Sequence, residues 1–168
     1  SIIETGFNRL TKSKNGVLLY NKNDMYIGKS IEKYGEFSEL ESKLFQQICK
    51  DKDIVFEVGA NIGAHTVNLS KFVGKGFVFA FEPQRIVFQN LCSNIALNSI
   101  SNVFTFQEAV GDENGKILIP ECDFSKINNF GGINIEHSKS GTPVNKIKLD
   151  NFVNKIDRLK LLKIDVEG

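Results

Sequence analysis

One stretch narrows the possible folds more than any other: Ile54-Val-Phe-Glu-Val-Gly-Ala-Asn-Ile-Gly63. It opens as an apolar, β-branched run, the pattern of a strand buried on both faces. It closes on Glu57 and then on Gly59 and Gly63, with Ala60 and Asn61 between them. From Ala64 to Val73 the apolar spacing lengthens toward that of a helix. The stretch therefore predicts a strand, a glycine turn and a helix, a unit whose backbone amides can receive a cofactor at the helix N-terminus. A Cβ at the glycines would obstruct both the turn and a close approach by a ligand.

Two acids sharpen this. Glu57 stands at the strand end, where it would repel a dinucleotide pyrophosphate but attract a methionine-like ammonium. A second apolar run, Phe77–Phe81, ends on Glu82, about 20 residues past the loop, the spacing at which an acid grips ribose hydroxyls. An acid at each of two adjacent strand ends suits S-adenosylmethionine better than NAD. A dehydrogenase loop would read G-x-G-x-x-G, whereas Gly59 and Gly63 are four apart.

The remaining elements follow from local patterns. Val17–Tyr20 and Met25–Ile27, separated by Asn21–Asp24, predict a small hairpin. Ser38 with Glu41 has the form of a capping box, and Leu40, Leu44, Phe45 and Ile48 follow at helical spacing. Gly74 is placed to end the helix after the glycine turn, and Pro83 to begin another carrying Val87, Leu91 and Ile95. Asn102–Gln107 predicts a third strand ending at Glu108-Ala109, where an acid is placed to meet an adenine amino group. Asp112–Gly115 is a turn, with Lys116–Ile119 returning from it as a strand. Residues 121–142 turn polar, a long irregular insert expected to form part of the acceptor site. Val144–Leu149 predicts a strand, Asp150 caps a short helix, and Leu159–Ile164 forms a fourth core strand leading to Asp165 and Glu167. Strand order in such a sheet reverses beside the first strand, so Glu57 and Asp165 are expected at one edge.

Five motifs occur in order: Tyr34-Gly-Glu-Phe-Ser-Glu39, Glu57-Val-Gly-Ala-Asn-Ile-Gly-Ala-His-Thr66, Phe81-Glu-Pro83, Ala109-Val-Gly-Asp112 and Lys163-Ile-Asp-Val-Glu-Gly168. Together they resemble the successive signatures of the FkbM family of class I methyltransferases, from about Tyr26 to the last residue. The resemblance implies an α/β, Rossmann-like sheet with helices on both faces, S-adenosylmethionine as cofactor, and methyl transfer to an oxygen of a sugar or natural product. It implies cofactor contacts from Glu57, Gly59, Ala60, Asn61, Gly63 and Thr66, from Glu82 and Pro83, and from Glu108 and Ala109. Asp165 and Glu167 would face the methyl group and its acceptor as catalytic carboxylates. The turn at Tyr34–Glu39 would lie over the cofactor, with Tyr34 or Glu36 facing it and Phe37 packing. His65 and His137 are further candidates for a base. An oxidoreductase using NAD(P), and an interaction module without catalysis, are the competing readings.

Composition bounds the rest. The 168 residues carry a formal net charge of +1, with Lys and Arg scattered, which argues against a nucleic-acid footprint or a basic membrane face. Cys49, Cys92 and Cys122 have no metal-like spacing and are expected as reduced thiols in a cytoplasmic protein. The expected acceptor is a small molecule or carbohydrate, and no metal site is expected. The expected division is an N-terminal hairpin and covering helix over 1–50 and a partial methyltransferase region over 51–168, a single domain overall. With Ser1 at its start, and four of seven strands expected, the chain is read as part of a longer protein.

Overall fold

The computed structural model describes residues 2–135 and 138–167. Its centre is a four-stranded sheet of β4 (Ile54–Val58), β5 (Phe77–Phe81), β6 (Val103–Phe106) and β10 (Leu161–Ile164). The order is β10-β4-β5-β6, and every pairing is parallel. The first and fourth core strands are therefore neighbours, as expected, and Glu57 stands opposite Lys163 in the register. Val55, Val78 and Ala80 are fully buried, which is why these strands read as apolar runs.

Helices α3 (Ala64–Phe72) and α4 (Arg85–Leu97) follow β4 and β5. Gly74 takes φ +54° just past α3, the conformation a glycine stop requires. Val87, Leu91 and Ile95 of α4 are buried as their spacing predicts. Pro83 does not open that helix: Glu82 accepts the Gln84 amide, and Gln84 stands extended as the residue before Arg85. A second sheet of three strands joins β7 (Ala109–Val110), β9 (Thr142–Ile147) and β8 (Gly115–Ile119). A 3₁₀ helix, Leu149–Lys155, brings Phe152 against Phe56, Phe79, Phe81 and Phe106 beneath the main sheet.

The N-terminal region departs from expectation. It is an antiparallel meander of β1 (Ile3–Thr5), β2 (Asn8–Ser13) and β3 (Gly16–Asn21), so the hairpin pairs β3 with residues before it rather than with Met25–Ile27. Asp24 accepts the Tyr26 and Ile27 amides and thereby starts α1 (Ile27–Tyr34). The meander docks on α4 through two asparagines. Asn94 exchanges hydrogen bonds with both the N–H and C=O of Leu19, and Asn98 does the same at Val17. Each amide thus supplies the donor and acceptor a neighbouring strand would have supplied. Leu18, Tyr20 and Ile31 share one core with Ile62, Val67, Leu91 and Phe130, so the N-terminal elements are packed into the main core.

Helix α2 (Glu39–Ile48) covers the other face through Phe45 and Ile48. Leu40 is 80% exposed and Leu44 half exposed, so two of the four apolar positions point to solvent. The capping box does not form: Ser38 adopts φ 49°, makes no side-chain cap, and Glu41 turns toward His65. Among the described residues no helix is long and apolar enough to cross a membrane.

Candidate functional site

The carboxyl ends of β4, β5 and β10 surround two adjoining hollows. The larger, about 240 Å³, is floored by Glu57 and Lys163 and walled by Phe37, His65 and Asp165. The smaller, about 50 Å³, lies against Glu82, Pro83 and Gln84. Gly59, Asn61, Gly131, Asp165 and Glu167 border both, so the two meet over the glycine turn. Of the acids at the three strand tips, Glu57 lines the larger hollow, Glu82 the smaller, and Asp165 both.

Gly59 is required by two constraints at once. Its φ is +80°, and a Cβ there would lie 2.1 Å from the Asp165 carbonyl oxygen. The glycine thus lets the tips of β4 and β10 close together, where the Asp165 amide bonds the Val58 carbonyl. Gly63, at φ +85°, turns the chain into α3, and a Cβ would strike Leu91.

The loop amides are committed within the protein. Gly59 and Ala60 both donate to the Phe81 carbonyl, Asn61 to Glu82, Ile62 to the Asn61 side chain and Gly63 to the Ala60 carbonyl. The expected amide cradle at residues 59–63 is therefore not open to an anion. The loop stands as a spacer between the Glu57 and Glu82 carboxylates.

Glu57 and Glu82 are both almost wholly buried. Burial pushes the Glu57 carboxyl up to about 7, against the pull of Lys163 and the Thr66 hydroxyl. Thr66 donates at 2.6 Å, and the Lys163 ammonium stands 3.8 Å away. Burial likewise carries Glu82 up to about 7, opposed by the amides of Gln84 and Asn61 at 2.9 and 3.0 Å. Each Glu82 oxygen accepts one amide and keeps lone pairs toward the smaller hollow.

Several expectations are revised by these partners. The cation beside Glu57 is the chain's own Lys163. Thr66 is fully buried with its hydroxyl on Glu57, so it supports that acid instead of facing the hollow. Tyr34 is exposed and Glu36 pairs with Lys14, whereas Phe37, expected only to pack, lines the larger hollow. Strand β6 stops at Phe106, so Glu108 sits in the link to β7 and Ala109 pairs with Lys146 in the second sheet; neither borders the two hollows. Of the remaining expected residues, Gly59, Ala60, Asn61, Asp165 and Glu167 line the larger hollow and Pro83 the smaller.

Asn129, Gly131 and Gly132 bring the polar insert over the larger hollow. Phe130 anchors it, stacked on Phe124 and buried in the core, and its carbonyl accepts the Gln84 side chain. His65 is buried between Phe37 and Phe45, and neither ring nitrogen hydrogen-bonds a described residue. Glu41 stands 3.3 Å from it, but burial and Lys163 hold the imidazole below its ordinary value, hence neutral. His137 lies outside the described residues. The three cysteines are free, and no group of described residues could hold a metal ion.

A parallel sheet with an acid at each of three neighbouring tips, meeting over a glycine turn, defines a Rossmann-like fold whose site is built for a nucleoside ligand. The family model described as the methyltransferase FkbM domain matches residues 57–168, and the chain belongs to that family. No curated protein matches it. Among solved structures, M. jannaschii TYW2 in complex with AdoMet is 24% identical over 62% of this chain and 44% of that one, with a TM-score of 0.49. Pyrococcus abyssi Trm5b is 20% identical over 61% of this chain and 28% of that one, with a TM-score of 0.48. The chain thus spans less than half the length of the structures it matches.

Proposed function

We propose that this chain forms the cofactor-binding part of an S-adenosylmethionine-dependent methyltransferase acting on a hydroxyl of a sugar or natural product. One observation carries the reading: carboxylates of three adjacent strand tips line two adjoining hollows over a glycine turn whose own amides are already used. A dinucleotide pyrophosphate needs those amides. A nucleoside with a cationic amino-acid tail needs the acids instead. Glu82 would hold the ribose hydroxyls, and the charge of Glu57 would favour the ammonium and sulfonium end. Gly59, Ala60 and Asn61 supply the surface between.

The bound cofactor would supply a methyl group already activated on a sulfonium. The chain's own task is alignment and exclusion of water. Phe37 and the insert residues Asn129 and Gly131 enclose the larger hollow. Asp165, two-thirds exposed at its mouth, is placed to take the proton from an acceptor hydroxyl, with Glu167 beside it. Lys163 is the one cation among the described residues lining this hollow, against Glu57, Asp165 and Glu167. That balance favours a neutral acceptor over a phosphate-rich one. Its place in a cytoplasmic pathway belongs to the same proposal.

Calorimetric titration of the protein with S-adenosylhomocysteine and, separately, NADH tests this. Binding of the homocysteine nucleoside alone is expected. Binding of NADH alone would replace the reading with an oxidoreductase, and binding of neither would favour an interaction module.

A further inference from the structure

The motif Lys163–Gly168 draws the eye to its acids, yet its lysine is the buried member. Lys163 is 8% exposed, whereas Asp165 is 68% exposed. Side chains two apart on a strand share a face, so Lys163 and Asp165 both point at the hollow, and the register sets Lys163 beside Glu57. The ammonium lies 3.8 Å from Glu57 and 3.6 Å from Asp165. Both separations exceed hydrogen-bond length, so the lysine acts as a point charge between two acids. Glu41 of α2 and the neutral His65 of α3 face the same group from the other side.

Stability alone does not account for this arrangement. A buried ion pair can often be replaced by apolar side chains at no cost, because removing both charges from water is expensive. Here the pair sits at the floor of the hollow, where its charge can act on a ligand. Glu57 is too covered to form many direct contacts, so its effect on a ligand depends on remaining ionised.

We infer that Lys163 is a positioning residue for the cofactor site, its ammonium set between Glu57 and Asp165 so that it favours the ionised Glu57 carboxylate in the floor of the hollow and steers Asp165 over its mouth. This rests on the methyltransferase reading. Burial already lifts Glu57 to about 7 against the pull of Lys163; without the lysine the carboxyl moves higher still, so a smaller share is ionised at neutral pH to attract a cationic ligand.

The test measures S-adenosylhomocysteine affinity between about pH 6 and about pH 8.5 in wild type, Lys163→Met, Lys163→Arg, Glu57→Gln and the double variant Glu57→Gln/Lys163→Met. Lys163→Met should weaken binding roughly 10- to 100-fold at neutral pH, with the deficit shrinking as pH rises. Lys163→Arg should restore most of the affinity. In the Glu57→Gln background, losing the lysine should change affinity by less than about threefold, because the charge it supports is gone. The double variant buries no opposed charges, so this comparison stands even if Lys163→Met alone fails to fold. A Lys163→Met protein that binds like wild type, a deficit equal at every pH, or a further large loss in the Glu57→Gln background would overturn the inference. Wild type that binds no S-adenosylhomocysteine overturns the underlying reading and the inference with it.

Discussion

The tips of β4 and β5 pose one problem and solve it differently. Each buries a glutamate at the edge of the ligand space, and burial lifts both toward about 7. At β4 the compensation comes from side chains, the Thr66 hydroxyl and the Lys163 ammonium. At β5 it comes from the backbone, the amides of Asn61 and Gln84. A side-chain cage can be retuned by single substitutions. A backbone cage ties its acid to the shape of the glycine turn, so Glu82 doubles as a structural staple.

The largest consequence concerns pH and tests what the two tips share. Both acids are raised above the ordinary 4.5, so the folded form holds their protons where the unfolded chain has released them. Their contribution is fully present below about 4.5 and is lost as pH rises through about 7. Stability of the ligand-free protein should fall across that window, by up to about 3 kcal/mol for each acid. Denaturant melts at a series of pH values would show it, and a rise in stability over the same window would contradict it.

The next effect separates the tips. Glu82→Ala strips two partly buried amides of their acceptor and should cost about 2–3 kcal/mol, with at least about tenfold weaker S-adenosylhomocysteine binding. It should also remove the share of the pH dependence that belongs to β5. Unchanged melting and affinity would remove Glu82 from both roles. The smallest effect falls at β4: Thr66→Val deletes one hydroxyl donor while keeping the shape and should cost about 1–2 kcal/mol. Glu57 should then titrate higher, visible as a weaker affinity at neutral pH that recovers in alkali. A Thr66→Val protein whose affinity has the wild-type pH profile would show that the side-chain cage is not tunable.

The same contrast explains what the sequence could convey. β4 and β5 have the bounds their apolar runs indicate, since strands covered on both faces leave little choice of residue. Glu57, Glu82 and Asp165 were legible because they end such runs. Lys163 was not, because a lysine inside a strand reads as its solvent face, and only the parallel register puts it beside a buried acid. The commitment of the Gly59, Ala60 and Asn61 amides was invisible for a related reason: their acceptors, the Phe81 carbonyl and the Glu82 side chain, lie at the tip of another strand. Near the N-terminus Met25–Ile27 looked like strand, but the Asp24 carboxylate captures two amides and starts a helix. Leu40 and Leu44 had helical spacing without burial, since period alone does not say which side of a helix is covered.

The most direct measurement is a crystal structure of the protein with S-adenosylhomocysteine. The account predicts the ribose at the Glu82 carboxylate and the amino-acid tail across Gly59 and Asn61 toward Glu57, with the sulfur facing Asp165. A nucleoside seated instead in the separate hollow between Phe7 and Arg85, with the strand tips untouched, would contradict it.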